Sequence, residues 1–236
     1  MTIFRLVRIL IAAASVAASA LVAHAQLFIT EWHSAGSSNA NGYSVDWFEL
    51  TNTGSSAVTL TNWRMDDSSP SFATGAVLSG VTSLAAGKSA IFLEVPSAGT
   101  PSFATIQAGF LTAWFGSNVP SGLLIGSVID GGIGLSGNGD AVNIYDAAQS
   151  LMASVSFGSN AGNLNRTFDN TALLNNTAVN TFSSVGVNGA FLSANGLEIG
   201  SPGIFAPIPE PSTYAAIAGL ATLGTVVLRR RFRNVV

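Results

Sequence analysis

Cysteine is absent from this 236-residue chain, and charge is scarce: nine Lys and Arg stand against twelve Asp and Glu. Without thiols there is no disulfide scaffold, no Cys-ligated zinc centre and no Cys nucleophile. A disordered chain is excluded by the opposite measure, since 48% of the residues are hydrophobic and the net charge is only -3. No long amphipathic helix is read before residue 214, which argues against a helical or parallel-sheet architecture. What is abundant is glycine, at 25 residues. The length fits one domain with short appendages.

Both ends read as addresses. Arg5 and Arg8 precede the uncharged stretch from Ile9 to Ala23, and Ala23-His24-Ala25 forms an A-x-A cleavage site. Residues 1–25 are therefore expected to be a signal peptide with a short signal helix, cut by signal peptidase at Ala23 and Ala25 to leave Gln26 as the first mature residue. At the other end Pro207-Ile208-Pro209-Glu210-Pro211 leads into the uncharged run Tyr214 to Leu228, followed by Arg229, Arg230, Arg231 and Arg233. Fifteen helical residues span only about 22 Å, so the transmembrane helix expected at about 212–228 relies on flanking residues and snorkelling arginines to complete its span. The arginine cluster puts the C-terminus in the cytoplasm and everything before Pro209 outside.

The order Pro209-Glu210-Pro211, short apolar helix and terminal arginines resembles the PEP-CTERM sorting signal of Gram-negative bacteria, over residues 207–236. The resemblance implies recognition and processing by an exosortase, in bacteria that make exopolysaccharide. A Pro-Glu-Pro segment cannot continue a helix, so it would stay extended at the outer interface within reach of a membrane-embedded enzyme.

Between these ends lies the expected domain, residues 26–206. From Gln26 to Ile208 three basic residues face eleven acidic ones, a net charge of -8, which repels phosphate backbones and excludes a nucleic-acid partner. Strands are expected at Leu27–Trp32, Val45–Asn52, Ala57–Leu60, Trp63–Asp66, Lys88–Val95, Ala141–Tyr145 and from Leu151, where Leu151, Ala153, Val155 and Phe157 fall on one face. Asn41-Gly42, Asp130-Gly131, Asn138-Gly139, Asn188-Gly189 and Asn195-Gly196 supply tight turns. The pattern predicts an all-β, immunoglobulin-like antiparallel sandwich.

Particular words sharpen this. Phe28-Ile29-Thr30-Glu31, Asp46-Trp47-Phe48-Glu49-Leu50-Thr51-Asn52-Thr53-Gly54, Val58-Thr59-Leu60 with Trp63, Leu84-Ala85-Ala86-Gly87-Lys88 and Gly137-Asn138-Gly139-Asp140 are similar to the lamin-tail domain. Arg166 with Asp169, and Ser201-Pro202-Gly203, look like that family's closing segment. There the chain departs from the family, because Arg166-Thr167-Phe168-Asp169-Asn170 lacks the usual Pro and Gly and a long Asn/Thr/Ser-rich stretch follows to Gly200. The resemblance implies an immunoglobulin-like sandwich and, in bacteria, a module of surface or secreted proteins. It does not imply catalysis.

Three constellations carry candidate chemistry. His33 follows Glu31 by two positions and shares its strand face, but no Cys nucleophile or Gly-x-Ser-x-Gly elbow accompanies it, and the expectation is a polar strand-end residue. Glu31 and Glu49 would form a carboxylate pair if their strands adjoin, as in a small hydrolase of glycans or esters, or would each accept backbone donors as structural acids. Asp130, Asp140 and Asp146 on Gly-rich turns are weak candidates for calcium in an adhesion module, or simply turn formers. Trp32, Trp47, Trp63 and Trp114 are expected to fill the core rather than stack sugars. The reading preferred is a non-enzymatic envelope or matrix protein with no catalytic residue and no cofactor, whose partners are exosortase, signal peptidase, the membrane, and exopolysaccharide or other envelope components.

Overall fold

The computed structural model describes residues 26–34, 42–129, 134–204 and Gly219. The cleavage residues Ala23 and Ala25, the sorting residues Pro209, Glu210 and Pro211, and Arg229, Arg230, Arg231 and Arg233 lie outside the described residues, as do the expected signal helix and the body of the expected transmembrane helix. The chain divides into two compact units, residues 1–205 and 206–236. Among the described residues no helix is long and apolar enough to cross a membrane.

The first unit is built from β1 (Leu27–His33), β2 (Trp47–Asn52), β3 (Val58–Thr59), β4 (Arg64–Asp66), β5 (Ala76–Val77), β6 (Ser83–Leu84) and β7 (Lys88–Val95), then the helix α1 (Phe103–Phe115), then β8 (Leu124–Ile129), β9 (Asp140–Tyr145), β10 (Leu151–Phe157), β11 (Phe168–Asp169), β12 (Thr177–Ala178), β13 (Phe191–Leu192) and β14 (Ile199–Gly200). Two five-stranded sheets, ordered β11-β1-β2-β7-β8 and β12-β10-β9-β4-β5, form the immunoglobulin-like sandwich. Alternation along each strand supplies its core: Ile29, Trp32, Phe48, Leu50, Ala90 and Phe92 from one sheet meet Met65, Val142, Ile144, Ala153 and Val155 from the other. All four tryptophans are buried, so the expected packing role holds.

The first sheet is also covered on its outer face, and this layer was not expected. Trp47, Ile91 and Leu93 point away from the sandwich into a second core with Tyr43, Ile106, Phe110 and Trp114. Strand β7 is therefore buried on both faces, which is why Ala90-Ile91-Phe92-Leu93 reads as an unbroken apolar run. Helix α1 was not expected, although it is short and leaves in place the reading that no long amphipathic helix precedes residue 214. Its sequence carries no charge at all, so the polar-apolar contrast of a surface helix is missing, although Ile106, Phe110, Ala113 and Trp114 keep helical spacing. Ser102 caps its start by accepting from Thr105 N, and Gly116 ends it at φ 57°.

The helix exists because β8 runs parallel to β7, and a parallel neighbour requires a crossover of a dozen or more residues. With β12 parallel to β10, the sandwich is mostly rather than wholly antiparallel. Leu151 is a second correction: it is 47% exposed instead of joining Ala153, Val155 and Phe157, since the register shifts between Leu151 and Ala153 and turns the strand end outward.

Candidate functional site

The outer face of the first sheet carries the concentration of polar chemistry. A register shift between Ile29 and Glu31 keeps both Ile29 and Trp32 in the sandwich core while turning Thr30, Glu31 and His33 the other way. Glu31 then stands opposite Glu49 on β2 and opposite Asp169 on β11, three carboxylates in one row across the sheet. The strands of Glu31 and Glu49 do adjoin, as the carboxylate-pair reading required. Both side chains are only 2% exposed.

Their partners are hydroxyls and backbone N–H groups, three of them from the chain's closing part. Glu31 Oε1 accepts from Thr167 Oγ1 (2.5 Å) and Ser201 N (2.7 Å). Glu49 Oε1 accepts from Thr30 Oγ1 (2.8 Å) and its Oε2 from Gly203 N (2.6 Å). Thr167 also shares a hydrogen bond of 2.6 Å with Ser183. Burial, reinforced by the neighbouring Glu49 charge, pushes the Glu31 carboxyl up from 4.5 to about 8, against the lowering effect of its hydrogen bonds. Burial raises Glu49 as well. Glu31 thus keeps its proton at neutral pH, and its Oε2, which has no hydrogen-bond partner, is far less costly to bury protonated than charged.

One residue row away, His33 ends β1, as expected of a polar strand-end residue, and is fully buried. Its Nε2 lies 3.1 Å from the Leu164 carbonyl and 3.5 Å from Glu198 Oε1. Burial pulls the imidazole down from 6.5 to about 4, so it is neutral near pH 7, and the Leu164 contact assigns the proton to Nε2. Tyr43 completes the cluster. Its hydroxyl accepts from Trp47 Nε1 and Trp114 Nε1, both at 3.2 Å, and its single proton is shared between the two Glu198 oxygens at 2.9 Å. Burial first and the Glu198 charge second hold the phenol well above its ordinary value.

Chemically this arrangement ties loops down and stores protons. Glu31, Glu49, His33, Tyr43 and Glu198 reach no more than 3% exposure, and a Cβ added at Gly200 would lie 2.6 Å from Glu31 Oε1. The closing segment therefore lies in direct contact over the pair. Tyr43, Thr167, Glu198 and Gly203 were missed by sequence reasoning. One signal was available: Glu198 is the sole charged residue between Asp169 and Glu210.

The acidic turn residues are not brought together. Asp140 and Asp146 flank opposite ends of β9. Asp140 accepts from Ser68 N, Ser136 N and Ala141 N, and Asp146 from Ala148 N and Ser150 N. Asp130 lies outside the described residues. Among the described residues no group of three or more His, Asp or Glu could hold a metal ion.

Against known families, the Lamin Tail Domain model matches residues 22–159 and the PEP-CTERM protein-sorting motif matches residues 207–231. No curated protein and no solved structure matches the chain. The first match spans Glu31 and Glu49 but stops before Thr167, Glu198, Ser201 and Gly203, so the segment that seals the acids lies outside the matched residues.

Proposed function

The chain belongs to the lamin tail domain family, and from that premise we propose that it is an envelope or extracellular-matrix protein whose sandwich binds or organises neighbouring components and catalyses no reaction. The observation that carries this reading is the order of parts: a sandwich ending at about residue 204, then a sorting motif at 207–231. The motif implies export, envelope association and processing by an exosortase. In this proposal signal peptidase releases Gln26, the uncharged run 214–228 enters the bilayer, and the arginines hold the C-terminus in the cytoplasm until the exosortase acts. The absence of catalysis is supported by how the acids are used, since hydroxyls and N–H groups of the closing part occupy them. Exopolysaccharide or another neutral envelope polymer suits a body of net charge -8 better than an anionic one.

Mass spectrometry of the protein recovered from envelope and matrix fractions tests the reading. A species starting at Gln26 and ending near Pro209 is expected. An uncut chain found in the cytosol would overturn it.

A further inference from the structure

The closing part of the sandwich differs from the rest of the described surface in what it exposes. From Asn170 to Ile204 its sole charged residue is Glu198, which is fully buried. Five of the eleven large hydrophobic residues exposed among the described residues fall within its last twenty: Val185, Val187, Leu192, Leu197 and Ile204, each between 42% and 59% exposed.

The backbone gathers several of them. Leu192 pairs with Ile199 across the β13–β14 hairpin, whose turn carries Leu197. Phe191 turns inward, its ring 5.8 Å from Trp114, so by alternation Leu192 faces out. Asn188 and Gly189 both take positive φ, and a Cβ at Gly189 would sit 3.0 Å from Ile204 Cγ2, which brings the loop of Val185 and Val187 against the chain's exit. An exposed apolar face of this kind, with Arg166 bridged to Ile199 beside it, marks a contact surface.

Chain length identifies what it meets. Nine residues lie between Ile204 and Tyr214, where the uncharged run begins, so Ile204 can be no more than about 36 Å from that run even with the connection fully extended. The remainder of the body is acidic and is repelled by anionic headgroups, whereas this face is not. We infer that the exposed apolar face of the closing segment, Val187, Leu192, Leu197 and Ile204, rests on the outer surface of the lipid bilayer. It thereby fixes the sandwich's orientation above the membrane before processing. The inference rests on the reading that residues 214–228 enter the bilayer.

The absence of cysteine makes the test direct. Full-length chains carrying Leu192→Cys, Val187→Cys, Leu151→Cys or Ala221→Cys are labelled with an environment-sensitive fluorophore. They are reconstituted in phosphatidylethanolamine vesicles containing some phosphatidylglycerol, with and without nitroxide-labelled lipid. Labels at 192 and 187 are expected to lose at least about half their emission to the quencher, as interfacial side chains do, while the label at 151 loses little. Quenching at 221 without quenching at 192 and 187 overturns the inference and leaves the membrane reading intact. No quenching at 221 overturns the membrane reading, and quenching at 192 and 187 would then still support lipid contact by this face alone. A label at 192 that is shielded from water, unquenched by lipid and sensitive to dilution shows the face covered by a second copy, which also overturns it. The doubly substituted Leu192→Asp, Leu197→Asp chain, labelled at 187, is expected to lose the quenching while its circular dichroism stays unchanged.

Discussion

Glu31 and Glu49 stand directly opposite one another on adjacent antiparallel strands, both nearly inaccessible, and both accept backbone N–H groups from the same closing segment. Like charges so placed repel unless one carries a proton. The pair therefore makes the attachment of that segment depend on pH.

The direction follows from linkage. Glu31 titrates at about 8 in the folded chain against 4.5 when unfolded, so its contribution is fully present below pH 4.5 and is lost as pH rises toward 8. His33 acts oppositely: at about 4 folded against 6.5 unfolded, its contribution is lost as pH falls from 6.5 toward 4. Between 4.5 and 6.5 the two oppose each other. Above 6.5 the carboxyls act without His33, and the folding equilibrium should fall by up to about tenfold per pH unit for each proton linked. Urea midpoints are expected to decline from pH 6.5 to 8, and Glu31→Gln should flatten that limb. A midpoint that rises across this range would contradict the assignment of a buried proton.

Gly200 marks how closely the segment lies on the sheet. A Cβ there would meet Glu31 Oε1 at 2.6 Å, Thr167 Cγ2 at 2.8 Å and Trp114 Cη2 at 2.8 Å. The three atoms belong to side chains buried to 2% or less, so they have little room to yield. Gly200→Ala should cost about 1–3 kcal/mol, the usual range for overpacking. Thermal unfolding measures it, and an unchanged midpoint would show that the segment rides higher than the geometry requires.

How much of this was legible in the sequence depends on the range of the contact. Strand β7 is found residue for residue at Lys88–Val95, and β1, β2, β9 and β10 lie within about two residues of where alternation places them, the usual error at element ends. That the strands of Glu31 and Glu49 adjoin was a condition of the carboxylate pair, and the register of β1 and β2 supplies it. Helix α1 escaped because a helix buried beside a sheet needs no polar face, and β8 because its order beside β7 is set by the crossover rather than by its own pattern. The seal over the acids was invisible for a different reason. Ser201 reaches Glu31 across 170 positions, and a short strand such as β14 gives no periodicity to read.

Tyr43 is expected to be the most sensitive single hydroxyl. Removing it in Tyr43→Phe strands the N–H groups of Trp47 and Trp114 and takes a donor from Glu198, all in a buried setting. A loss of about 2–4 kcal/mol follows from leaving such groups unsatisfied. Urea unfolding of Tyr43→Phe, Glu198→Gln and the double variant gives the coupling, which should exceed about 1 kcal/mol for residues in direct contact. Additive losses would show that the hydroxyl and the carboxylate act independently.

Calcium should leave the thermal midpoint unchanged. The Asp140 and Asp146 carboxylates are engaged by backbone N–H groups at opposite ends of one strand, so a cation would have to displace turn hydrogen bonds at each. Scans with added calcium and with chelator check this, and a rise of several degrees in calcium would restore a cation site.

The hydrolase reading makes an equally definite demand on Glu49. Two carboxylates can cleave a glycosidic bond only if the sugar reaches both, one donating a proton and the other attacking or activating water. Here Glu49 Oε2 is held by Gly203 N at 2.6 Å and Glu31 Oε1 by Ser201 N and Thr167, and entry of a substrate would require the closing segment to lift away. That displacement breaks at least those bonds and uncovers His33 and Glu198 as well. A panel of glycans and esters is accordingly expected to show no turnover by the purified chain. Turnover that survives purification and disappears in Glu49→Gln, with the fold intact by circular dichroism, would make the pair catalytic and the closing segment its lid.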